Sequence, residues 1–129
     1  MTGEGACAGA AALPRCTLRY APPEVISAYN RSAKVVVHPS LDIWALGVMA
    51  FEALTQRPAF ATGAALFAAA AGDAPFPWAA SERAAAPASW RRSRLRPVVE
   101  ACLARDAAAR PTAAGLLQML VDLVSASSL

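Results

Sequence analysis

The chain has 129 residues, about the size of one small domain; 57% are hydrophobic, mean hydropathy is +0.38 and only 16% are charged, low for a free-standing soluble domain. Its net charge of +3 and pI near 9.1 are mildly basic and do not by themselves imply nucleic acid. The cysteines Cys7, Cys16 and Cys102 form no CxxC pair and His38 is the single histidine, so a zinc site is excluded and reduced thiols are expected.

Residues 1–16 are small, Gly/Ala-rich and without periodicity, and read as a poorly ordered lead-in. Glu4 and the lack of a basic stretch make a poor signal peptide, so a cytoplasmic location is expected. Pro22 and Pro23 preset a helix start, Glu24 suits its positive end, and Val25, Ile26 and Tyr29 give a short apolar face. Asn30 to Pro39 is a loop containing Val35, Val36 and Val37. Ser40 then reads as an N-cap with Asp42 in the first turn. From Ile43 to Phe51 every residue is apolar or glycine, too short a run to span a membrane. It predicts a central helix buried on all sides and ended by Pro58.

Thr62 to Gly72 reads as a capped helix with Gly72 as its stop. Asp73 to Ala88 is proline-punctuated loop with Phe76 and Trp78. Ser93 to Ala104 carries Leu95, Val98, Val99, Cys102 and Leu103 at helical spacing. Thr112 caps a last helix with Leu116, Leu117, Leu120, Val121 and Val124. Without a convincing strand, the fold class expected is all-α.

Three ordered blocks carry a resemblance. Thr17-Leu18-Arg19-Tyr20-Ala21-Pro22-Pro23-Glu24 resembles the end of a protein-kinase activation segment, the A-P-E triplet standing here as Pro22-Pro23-Glu24. Asp42-Ile43-Trp44-Ala45-Leu46-Gly47 resembles the D-x-W-x-x-G opening the buried F helix, and Cys102 to Thr112 resembles C-L-x-x-D-P-x-x-R-P-T between the last two helices. Residues 17–124 are thus similar to the C-terminal part of the large lobe of a eukaryotic serine/threonine-like protein kinase, with 125–129 as a tail.

The resemblance implies structural roles for Glu24, Asp42, Trp44, Gly47 and Arg110. Glu24 would pair with Arg110, and Asp42 would be a buried acceptor for catalytic-loop amides. It implies substrate binding by Thr17, Arg19 and Tyr20, with Thr17 tilting the likeness toward serine/threonine acceptors.

The sequence has no Gly-rich phosphate loop, V-A-I-K lysine, H-R-D-x-x-x-x-N or D-F-G, the groups that position and neutralise the phosphates in this family. No catalytic residue, metal ligand or cofactor is therefore expected in the chain itself; Mg-ATP belongs to the full-length family. One reading is a piece of a serine/threonine kinase domain, either a truncated product or a chain whose upstream coding sequence was missed, and in-frame H-R-D and D-F-G motifs upstream of Met1 would establish it. A second is a non-catalytic, pseudokinase-like interaction module, and a third a remnant that barely folds. The expected partner is a protein substrate or docking protein, not nucleic acid or membrane. The arginines at 91, 92, 94 and 96 read as a solvated loop and helix start, or as a site for an anionic partner. His38 has no G-x-S-x-G setting, which excludes a hydrolase triad.

Overall fold

The computed structural model describes residues 18–127. Thr17, Cys7 and Cys16 lie outside the described residues. Among the described residues six α-helices follow one another: α1 (Pro23–Asn30), α2 (Ser40–Thr55), α3 (Gly63–Ala71), α4 (Ala88–Arg91), α5 (Arg96–Cys102) and α6 (Ala113–Ser127). Short 3-10 turns occupy Leu18–Tyr20, Ala80–Ala85 and Ala107–Ala109. Among the described residues there is no strand, and the fold is all-α. No helix among them is long and apolar enough to cross a membrane.

Helix α2 is the axis, packing against α4, α5 and the Leu18–Tyr20 and Ala107–Ala109 turns, while α1 packs on α3 and α6 on α5. It brings Trp44, Val48 and Phe51 into the main core, where they meet Trp78, Trp90, Phe76, Val99 and Leu103. The core is aromatic: Phe51 lies edge-on to Trp90 and Trp78 at ring separations of 4.8 and 5.3 Å. Such pairs add roughly 0.5–1.5 kcal/mol each beyond the area they bury. The loop residues Phe76 and Trp78 stack nearly parallel at 5.1 Å, so the proline-rich stretch after α3 is a core wall. The indole N–H groups of Trp44 and Trp90 are buried without an acceptor among the described residues.

Gly47 sets how close the helices come. A Cβ there would lie 2.9 Å from the Cβ of Cys102 and from Leu103, so only glycine lets α2 and the end of α5 touch. Burial raises the Cys102 thiol above its ordinary pKa.

Several local expectations are corrected. Ser40 is the first residue of α2, not its cap: Pro39 holds the cap position without a side-chain bond. The Ser40 hydroxyl lies 3.0 Å from His38 Nδ1. The helix ends at Thr55, before Pro58, because Gln56 takes a left-handed conformation (φ 60°) and its amide bonds the Glu52 carbonyl. Nor is α2 buried all round: Leu46 and Met49 are 46% and 48% exposed on a stripe with Asp42 and Ala53. The helix expected from Ser93 begins only at Arg96, Pro97 fitting its first turn, and α4 precedes it. The expected caps of α3 and α6 are present. Thr62 Oγ1 accepts from the Ala65 amide at 3.1 Å, Gly72 takes φ 89°, and Thr112 Oγ1 accepts from the Gly115 amide at 3.0 Å. Helix α6 continues past residue 124 into the segment expected as tail.

Candidate functional site

Two ionic clusters hold the Leu18–Glu24 stretch against the helices behind it. The first centres on Arg110, whose side chain is wholly buried. Its Nη1 and Nη2 donate to the two oxygens of Glu24 at 2.8 and 2.9 Å, a bidentate fork. Its Nε donates to Ala104 O at 2.8 Å, Nη1 also reaches Ser40 O at 3.3 Å, and Nη2 reaches Arg105 O at 3.2 Å. The guanidinium lies 5.0 Å over the Trp44 ring. Every face of this buried cation has a partner, which makes its burial tolerable. Burial alone would raise the Glu24 carboxyl, but the Arg110 hydrogen bonds, its own backbone amide and the Arg110 charge outweigh that, and its pKa is lowered.

The second cluster centres on Glu52, the first charged residue after the apolar run of α2. It accepts from Arg19 Nη2 at 2.8 Å, Arg19 Nε at 3.3 Å, the Tyr20 hydroxyl at 3.0 Å and the Ala59 amide at 2.8 Å. Burial opposes its ionised form, yet the Ala59 amide, Arg19 and Tyr20 together lower its pKa. The Tyr20 hydroxyl is raised by burial and by its bond to Glu52. Beside Arg19, a cleft of about 260 Å³ opens between Leu18, Phe60, Thr62, Leu66 and Phe67.

The structure thus brings together Arg19 and Tyr20 at Glu52, and Glu24, Trp44 and Arg110 at one clamp; Gly47 lies at the packing contact of α2. Asp42 is exposed rather than buried, and its carboxylate has no hydrogen bond among the described residues. It stands on the open stripe of α2, where no described segment covers it. Sequence reasoning missed Glu52 and Arg105. Arg105 donates to Ala70 O at 2.9 Å and Ala69 O at 2.6 Å, satisfying carbonyls at the end of α3, and lies 4.8 Å from the Phe76 ring centroid. The signal for Glu52 was present: a lone carboxylate ending a nine-residue apolar run on a buried helix needs cationic or amide partners.

The described residues contain no group of three or more His, Cys, Asp or Glu that could hold a metal ion.

The family model described as protein kinase domain matches residues 8–121. No curated protein and no solved structure matches the chain. The match spans the three sequence blocks, and the Glu24–Arg110 clamp joins the first to the third across 86 residues. The chain belongs to the protein kinase domain family.

Proposed function

We propose that this chain provides the peptide-facing, helical part of a serine/threonine protein kinase domain and does not itself transfer phosphate. The observation that carries this reading is the double anchoring of Leu18–Glu24, by Glu52 at one end and Arg110 at the other. A stretch held this way presents a fixed surface beside the cleft at Arg19, where an extended peptide is positioned at little entropic cost. Thr17 directly precedes that stretch in the sequence, and the resemblance of residues 17–24 to a kinase activation-segment end supports hydroxyl acceptors of the serine/threonine kind. Mg-ATP and the catalytic base belong to the rest of the domain, because positioning and charge neutralisation of the phosphates need groups that this sequence lacks.

The test has two arms. The purified chain is incubated with radiolabelled Mg-ATP and a generic protein acceptor. No transfer is expected; transfer that co-purifies with the chain overturns the inactive assignment. In the second arm, serine- and tyrosine-containing peptides are titrated while the amide signals of Leu18–Ala21 are followed by NMR. Shifts with the serine peptides alone are expected, and shifts with tyrosine peptides alone contradict the acceptor assignment.

A second reading, a cytoplasmic non-catalytic docking module, is favoured by one observation: the apolar edge of α2 at Leu46 and Met49 stands open. Exposed apolar surface on a helix built into a core marks an interface.

A further inference from the structure

The loop between α1 and α2 is exposed at every residue from 30 to 39, and both of its ends are fixed. At the end of α1, Ser32 takes a left-handed conformation (φ 54°), and the amides of Ser32 and Ala33 bond Tyr29 O and Ala28 O at 3.0 and 2.7 Å. At the start of α2, the Leu41 amide bonds His38 O at 3.0 Å, and His38 Nδ1 accepts from the Ser40 amide at 3.1 Å. Between these anchors residues 33–38 run without a turn or bend.

Lys34, Val35, Val36 and Val37 form the middle of that run. Among the described residues their amides and carbonyls make no hydrogen bond, to backbone or to side chains. Val35, Val36 and Val37 are 41%, 80% and 87% exposed, although β-branched side chains favour a pleated, half-buried surface. A row of open donors and acceptors carrying valines is the edge of a strand without its neighbour. The charge around this edge has one sign. Arg31 and Lys34 are exposed, and their side chains make no hydrogen bond or ion pair among the described residues. From residue 25 to 41 the sequence has no carboxylate. Glu24, before that stretch, is held by Arg110, and Asp42, after it, belongs to α2.

We propose that residues 34–37 form a docking edge that takes an extended acidic segment of a partner protein as an added β-strand. Main-chain hydrogen bonds to the open amides and carbonyls supply the binding, the valines select β-branched or aromatic neighbours, and Arg31 and Lys34 select carboxylates. The two fixed ends of the loop lower the cost of ordering it. Charge complementarity decides against a second copy as occupant, because self-pairing brings two sets of Arg31 and Lys34 and no carboxylate to one interface. The inference goes beyond both readings above: it concerns the loop before α2 and depends neither on the cleft at Arg19 nor on the open edge of α2.

The probe is a synthetic peptide of about nine residues, a usual strand length, alternating valine and threonine with glutamates at both ends. One control carries lysines in place of the glutamates, and a second keeps the side chains but has methylated backbone nitrogens. Binding to the full chain is followed by NMR and amide hydrogen exchange, with sedimentation to report self-association. The amides of residues 34–37 exchange freely in the chain alone and are slowed about tenfold or more by the glutamate peptide. The lysine peptide binds about tenfold more weakly or worse, and the methylated peptide gives no protection. Val36→Pro removes a donor where no hydrogen bond of the fold is lost, so the chain stays folded, with circular dichroism as the check, and the protection disappears. The double substitution Arg31→Glu/Lys34→Glu reverses the preference between the two charged peptides. Absence of protection at residues 34–37 with every peptide overturns the proposal. Equal binding of the glutamate and lysine peptides overturns the acidic occupant, and a methylated peptide that binds as tightly as its parent overturns the added strand. Self-association that Val36→Pro dissolves overturns the proposal in favour of a second copy.

Discussion

Glu52 shows how one side chain fixes the geometry of a loop. Four hydrogen bonds from three residues converge on it, and removing its charge leaves the half-exposed Arg19 and the part-buried Tyr20 and Ala59 donors with a weaker acceptor. Glu52→Gln is expected to cost about 1–3 kcal/mol, read by urea unfolding, and to free the Arg19 and Tyr20 side chains in NMR relaxation. Both Glu52 and Glu24 titrate below the ordinary carboxylate value when folded. Each therefore contributes stability that is fully present above the unfolded value of about 4.3 and is lost as pH falls through the lower folded value. The urea midpoint should hold from pH 7 to 5 and fall below that, with a shallower fall in Glu52→Gln. A midpoint that does not move between pH 5 and 3 contradicts the two clusters.

Two glycines separate packing from propensity at the scale of the element. At Gly47 alanine favours the helix by about 1 kcal/mol, but its Cβ meets Cys102 and Leu103 at 2.9 Å. Overpacking costs about 1–3 kcal/mol, so Gly47→Ala is expected to be net destabilising. At Gly63 nothing lies within 4 Å of a new Cβ, and Gly63→Ala is expected to be neutral or stabilising by up to about 1 kcal/mol. Equal effects in urea unfolding would mean that α2 and α5 do not approach as described. The helix ends show where local chemistry is legible. Thr62, Gly72 and Thr112 act through their own neighbours, so their caps could be read from the sequence. Ser40 could not, because its hydroxyl is engaged by His38 and its carbonyl by Arg110, 70 residues away. The role of Phe76 and Trp78 was hidden for the same reason: no periodicity marks a proline-rich loop that folds onto distant aromatics.

For the whole molecule, the all-α class, the centrality of α2 and the Glu24–Arg110 pairing were legible because residue order in three blocks resembles one family. The open stripe at Leu46 and Met49 was not. An apolar run says that a helix is covered, but not which of its faces the described chain covers. The stripe predicts hydrophobic-dye binding by the folded chain, reduced by Leu46→Asp with the urea midpoint unchanged; a folded chain that binds no dye contradicts this.

The claim on which the rest stands is that the end of the activation-segment-like stretch folds back onto the loop before α6. A double-mutant cycle on Glu24 and Arg110 measures it directly. Arg110→Ala removes the fork, three carbonyl bonds and the contact with Trp44, and should cost on the order of 3–5 kcal/mol. Glu24→Ala should cost less, about 1–2 kcal/mol, because the Glu24 side chain is 40% exposed and Arg110 keeps its carbonyl acceptors. In urea unfolding the double mutant should be less damaged than the sum of the singles, by about 0.5–3 kcal/mol. Strict additivity, or an Arg110→Ala cost below about 0.5 kcal/mol as for an ordinary surface change, would show that the two residues do not meet.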